Sequence, residues 1–236
     1  MSEWSPKRFW TDATVEAVPR GHAVRLDGRS VRTPLKTELV VPSAALAEGI
    51  ASEWRAQKER IDPLSMPLTR AANATLDKVV PQRAEVVTGL SEYGGSDLLC
   101  YRAPGPGSLT ARQAAAWDPL LAWAATEFGA RLVLTEGVVP VSQPDATLDA
   151  LRRRVAALSD WELTALSEFV SLSGSLVIGL AAMDRQDVEG LWAASRIDED
   201  WQAEQWGLDA EEAERIAARR AAFLQAAVYL GLLNDV

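Results

Sequence analysis

The chain has 236 residues, 48% of them hydrophobic, and its 33 acidic against 24 basic side chains give a formal charge of −9. That length holds one large domain or two small ones around a sizeable core. The acidic balance repels phosphate backbones and anionic lipid surfaces, so neither nucleic acid nor membrane is expected as a partner. The longest nearly uncharged apolar run, Val170 to Met183, is too short and too rich in Gly and Ser to span a bilayer. Met1 to Pro6 lacks the basic and apolar parts of a signal peptide. A single cysteine, Cys100, and a single histidine, His22, leave no internal disulfide and no His/Cys zinc site, so a cytoplasmic protein without cofactor or metal is expected.

From Arg8 to Val41 the pattern is short β-rich pieces broken by turns. Thr14 to Val18 and His22 to Leu26 flank Pro19-Arg20-Gly21, and Asp27-Gly28 then marks a hairpin because both residues tolerate positive φ. A second hairpin is expected from Arg29 to Arg32 and Glu38 to Val41 around Thr33-Pro34-Leu35-Lys36. Pro42-Ser43 supplies a helix start, and Leu46, Ile50, Trp54 and Gln57 form a stripe that would cover one face of a small antiparallel sheet. This predicts a two-layer α/β domain over residues 1–62.

After Ile61-Asp62-Pro63 alanine, leucine, glutamate and arginine dominate, which predicts a mainly helical domain over 63–236 and an α+β fold overall. Helices are expected over about 69–80 and 82–93, and Gly94-Gly95-Ser96 precedes a β-like piece from Asp97 to Tyr101. Leu109 to Phe128 is helical, with Pro119 either starting a second helix or kinking the first. Arg131 to Thr135 is a second β-like piece, available to pair with Leu98 to Tyr101. Further helices are expected over 145–158, 160–173, 175–183, 187–206 and 209–232, with Asp209 and Glu212 as a capping box after a sharp turn at Gly207-Leu208.

The helix over 187–206 draws attention. Val188, Leu191, Trp192, Ser195, Glu199, Gln202 and Trp206 share one stripe, while Ile197, Trp201 and Leu208 lie on roughly the opposite side. Two apolar faces need two covers, of which one is the domain itself and the other could be a partner. Either the helix is internal with Glu199 paired to an arginine, or Glu199 meets a partner.

The usual catalytic patterns are missing: Gly-x-Ser-x-Gly, a phosphate loop, Gly-x-Gly-x-x-Gly after a strand, and His-Glu-x-x-His. His22 lies in a hairpin without an evident acid partner, and Cys100 between Leu99 and Tyr101 reads as a buried thiol. Asp198, Glu199 and Asp200 splay apart on a helix and cannot converge on one ion. Among the nine tryptophans, exposed ones would mark a binding surface.

Read together and in order, several motifs resemble the assembly chaperones of F-type ATP synthase that handle the alpha subunit of the catalytic head. They are Arg8-Phe9-Trp10; Leu26 to Arg29 with Arg32-Thr33-Pro34; Glu53 to Gln57; Met66 to Thr69; Asp97 to Ala103; Gln113 with Trp117-Asp118-Pro119; Gly174-Ser175; and Gln202 with Trp206-Gly207. The resemblance implies a non-enzymatic protein, monomeric when free, that holds the alpha subunit, masks surface later buried against beta subunits and releases it into the ring. Mitochondrial members carry a presequence before the Arg-Phe-Trp region, so a bacterial member is expected here. The contact is expected around Glu199, Gln202, Trp206 and Gly207, with Trp54 and Gln57 as a weaker second patch where the two domains meet. A small-molecule hydrolase or transferase with an unrecognised carboxylate site is the alternative; it requires Glu199 in a closed pocket with a second acid or a basic partner. A regulatory or scaffolding subunit is a third possibility.

Overall fold

The computed structural model describes residues 7–233; Met1 to Pro6, read above for signal-peptide features, lie outside them. The chain divides into one unit of Met1–Arg83, Asp160–Thr164 and Val228–Val236, and another of Ala84–Ser159 and Ala165–Ala227. The composition change after Pro63 falls inside the first unit.

In that unit β1 (Ala13–Val18) and β2 (Gly21–Leu26) form an antiparallel hairpin, and β3 (Arg29–Ser30) returns beside β2 with Leu26 opposite Arg29. The intervening Asp27 and Gly28 have φ of 46° and 80°, the positive values that a two-residue turn between right-twisted strands requires. The Asp27 carboxylate also accepts the N–H groups of Thr11 and Asp12 at 2.9 and 3.0 Å, which pulls its pKa below the ordinary value. An Arg32–Glu38 bridge closes the second expected hairpin. Its return strand, β4 (Val40–Val41), pairs with β2 rather than β3, with Val41 opposite His22 and Val40 opposite Ala23.

Helix α1 (Ala44–Ala56) starts at Ser43, whose hydroxyl accepts from Leu46 N–H at 3.1 Å, and buries Leu46, Ala47, Ile50 and Ala51 against the sheet. Helix α2 (Pro67–Ala74) has no cap from its own N-cap residue, Met66; Glu53 of α1 supplies it. It runs on into a π-helical turn, Thr75–Val79, where the Thr75 hydroxyl joins those of Thr164 and Tyr229 at 2.7 and 3.2 Å in a buried cluster.

The second unit contains most of α3 (Arg83–Glu92), all of α4 (Gly107–Phe128) and α5 (Asp145–Ala156), and the rest of α6 (Asp160–Ser173) beyond its first turn. It also holds α7 (Leu176–Met183), α8 (Val188–Ala194), α9 (Ile197–Trp206) and the greater part of α10 (Ala210–Leu232). Helix α4 is one helix through Pro119. The β-like piece at Asp97 to Tyr101 is mostly a 3-10 turn, Leu98–Cys100, because the Asp97 carboxylate accepts from Leu99 N–H at 3.1 Å and caps it. Only β5 (Tyr101–Arg102) is extended, and it pairs in parallel with β6 (Thr135–Glu136). Asp97 is buried and also accepts from the Ser175 hydroxyl at 2.7 Å and Val177 N–H at 3.0 Å, so one carboxylate caps the 3-10 turn and the N-terminus of α7. Trp117, Phe169, Leu176, Ile178 and Phe223 are among the fully buried side chains of this unit.

The helix expected over 187–206 is broken. The N–H groups of Ser195 and Arg196 bond back to Trp192 and Ala193 carbonyls, three residues earlier, and Arg196 sits at φ −119°, ψ 10°. The tightened turn ends α8, and α9 begins as a separate helix at Ile197. Among the described residues no helix is long and apolar enough to cross a membrane.

Candidate functional site

Helix α9 contains no buried residue, which sets it apart from α8 before it, where Leu191, Trp192 and Ala194 are buried. Gly207 ends it at φ 85°, a conformation that glycine adopts without strain, and Asp209 then caps α10 by accepting from Glu212 N–H at 2.8 Å. The sharp turn between helices at Gly207-Leu208 is therefore present as expected.

The break at Arg196 removes the continuous stripe from Val188 to Trp206, but the grouping within α9 survives. Ile197 and Trp201 are half-covered, whereas Glu199, Gln202, Trp206 and Gly207 are exposed, Trp206 to 87%. Glu199 is not internal. Among the described residues no arginine pairs with its carboxylate, and Arg112 and Arg196 are engaged instead with Glu204 and Asp200 at 2.7 and 3.3 Å. The reason is the broken helix: the buried run stops with Ser195 and Arg196, at the break, before Glu199 is reached.

The second patch is corrected. Gln57 is only 5% exposed, and its amide donates to Glu53 O and Ser65 Oγ, each at 3.1 Å, and accepts from Asp62 N–H at 2.7 Å. It fixes the chain after α1 and offers a partner no surface. Trp54 is half-buried, edge-on to Trp10 at 5.0 Å, and its carbonyl accepts from Trp10 Nε1 at 3.3 Å. The Arg8 guanidinium binds the carbonyls of Trp10, Thr11, Arg55 and Gln57, so the Arg8-Phe9-Trp10 and Glu53-to-Gln57 motifs together hold the end of α1. These motifs serve the fold of the first unit.

Residues that the sequence reading did not place at the site hold α9. Arg112 on α4 pairs with Glu204 and lies over the Trp201 ring at 4.9 Å. Its hydrogen bond keeps the Glu204 carboxyl below its ordinary range. The next residue, Gln113, is fully buried; its amide donates to Asp198 at 2.7 Å and accepts from Ala103 N–H at 2.9 Å. Trp117, one turn further, donates from Nε1 to the Ala194 carbonyl at 2.7 Å, and Arg102 lies over its ring and pairs with Asp118. A signal was available: Leu109, Gln113, Trp117, Leu120 and Ala124 are one helical stripe, and a glutamine within it has to find buried partners.

The carboxylate-site alternative meets none of its requirements at Glu199, which lies on open surface. Burial, assisted by the Asp97 charge, pushes the Cys100 thiol up to about 12, so it is no nucleophile near neutrality. What α9 presents is an exposed indole beside a carboxylate and an amide, suited to protein contact.

A family model described as ATP12 chaperone protein matches residues 7–125. The crystal structure of Atp12 from Paracoccus denitrificans is 47% identical, covers 97% of this chain and 98% of its own, and superposes with a TM-score of 0.93. Protein atp12, mitochondrial, of Schizosaccharomyces pombe is 23% identical over 85% of this chain and 74% of its own length. Protein ATP12, mitochondrial, of Saccharomyces cerevisiae is 23% identical over 85% and 76% respectively.

Proposed function

Starting from the fact that this chain belongs to the ATP12 chaperone family, we propose that it binds the free alpha subunit of the F-type ATP synthase catalytic head in the cytoplasm and hands it on for assembly. The contact is the outer face of α9 with the turn behind it: Glu199, Gln202, Trp206 and Gly207. The observation that carries this reading is the 87% exposure of Trp206 at the end of a helix none of whose residues is fully buried. A lone tryptophan in that state gains from docking, since it brings a large apolar area with few rotamers to freeze.

Charge narrows the partner surface. Between Arg196 and Arg215 the sequence has eight acidic side chains and no basic one, so the alpha-subunit face that meets α9 carries arginine or lysine around an apolar seat for the indole. No chemical step is required of the chain. It covers surface that beta subunits later bury, and a beta subunit arriving on that surface displaces it.

The test is capture of purified alpha subunit by immobilised protein at low and high salt. Capture that exceeds that of beta subunit, and that falls as salt screens the acidic face, supports the reading. Equal retention of both subunits sinks it.

A further inference from the structure

We infer that Arg112 and Gln113, consecutive residues on α4, are the positioning residues that set which face of α9 is presented to the partner. The inference rests on the reading of α9 as the contact element and names what orients it.

Apolar packing alone holds the rotation of α9 about its axis only loosely, because none of its residues is fully buried and its apolar cover is limited to half-covered Ile197, Trp201 and Ala203. Its ends do not fix it either: Arg196 gives no side-chain cap, and Gly207 leaves the helix at φ 85°, ψ 171°. What remains on the protein side is a set of directional contacts. Gln113 holds Asp198 at 2.7 Å in the first turn; Arg112 holds Glu204 at 2.7 Å and covers Trp201 with its guanidinium. Measured around the helix from Asp198, Trp201 and Glu204 lie about 60° and 120° to one side, while Gln202, Trp206 and Glu199 lie about 40°, 80° and 100° to the other. Fixing Asp198, Trp201 and Glu204 against α4 therefore turns Gln202, Trp206 and Glu199 outward together. A rotation of one residue position, about 100°, would carry Trp206 to the edge of the α4 contact.

Gln113 suits this task. Its amide is fully buried and satisfied at both ends, by Ala103 N–H and Asp198, so it links α9 to the backbone just after β5 rather than to another mobile side chain. An amide bonded at both ends holds one position where a solvent-exposed ion pair would sample several. Arg112, by contrast, is half-exposed and acts through two weaker contacts at once, with Glu204 and the Trp201 face.

The full-length protein tests this with paired substitutions and two readouts. Gln113→Glu sets two carboxylates against each other, while Gln113→Glu with Asp198→Asn restores one hydrogen bond with donor and acceptor exchanged. Amide exchange over 197–206 should rise at least tenfold in the single variant and return in the pair, while α4 amides stay protected; alpha-subunit capture should fall and recover in parallel. Unchanged exchange in the single variant overturns the inference, as does failure of the pair to restore it. Should the single variant not fold, Arg112→Ala, made on the surface, carries the same test, and unchanged exchange there overturns the inference too. If exchange responds and recovers but capture is untouched, the positioning of α9 stands and the contact reading under the proposed function falls.

Discussion

Glu53, in the last turn of α1, accepts the backbone N–H of Thr69 at 2.8 Å and so acts as the N-terminal cap that α2 lacks in its own sequence. The same oxygen also accepts from Thr69 Oγ1 at 2.7 Å, and the other oxygen takes Leu68 N–H at 2.6 Å. Two motifs fifteen residues apart are thereby one device. Glu53→Ala leaves donors at the start of α2 without their acceptor and should destabilise the chain by about 1–3 kcal/mol in urea unfolding, with Glu53→Gln between. A Glu53→Ala protein as stable as the parent would show that water replaces the cap without loss.

The turn at Gly28 offers a cleaner backbone test. Its φ is 80° and a Cβ there would meet nothing within 4 Å, so Gly28→Ala introduces conformational strain and no clash. A loss of about 1–2 kcal/mol in thermal unfolding is expected, the usual penalty for an L-residue held left-handed.

What the sequence showed and hid follows from the range of the interactions. The Asp27-Gly28 hairpin, the Ser43 cap and the Asp209 cap were legible because each is decided within four residues. The break at Ser195-Arg196 was hidden: it contains neither Gly nor Pro, and buried Ser195 continued the apolar stripe. Gln57 and Gln113 were misjudged or passed over because a polar residue in a buried stripe is the same in sequence whether it faces a partner or an internal backbone group. Gln57 was read as part of the stripe over the sheet and of a weaker contact patch, and it is an internal latch; Gln113 was read as part of a motif and is the tie between α4 and α9. That Glu199, Gln202 and Trp206 lie toward one side of α9 follows from helical spacing alone, and all three are exposed.

Asp97 predicts a pH dependence. Burial pushes its carboxyl above the ordinary 3.8, opposed by Val177 N–H, the Ser175 hydroxyl and Leu99 N–H. A proton bound more tightly in the folded chain than in the unfolded one adds stability at low pH, and that addition is lost as pH rises through the folded value. Asp97→Asn removes the titration and turns a donor toward N–H groups, so it should destabilise by about 1–3 kcal/mol. The gap between parent and variant should narrow as pH is raised from 4 toward 8. A gap that widens would mean that the three donors outweigh burial.

Trp206→Ala separates binding from folding. The side chain is almost entirely in solvent, so the melting temperature should move by no more than about a degree, while alpha-subunit affinity should fall by about 30-fold, the scale of an interface anchor of roughly 2 kcal/mol. Titration calorimetry on the folded variant gives the number directly.

The central claim is that α9 recognises free alpha subunit, and the most direct measurement is the dissociation constant of that complex for the parent chain and for Glu199→Lys, with beta subunit in parallel. Glu199 is exposed and unpaired among the described residues, so the substitution should leave thermal unfolding unchanged. The parent should bind alpha tightly and beta little or not at all, and Glu199→Lys should lose alpha binding. A folded Glu199→Lys protein that still binds alpha as the parent does, or a parent that binds beta equally well, would contradict the claim.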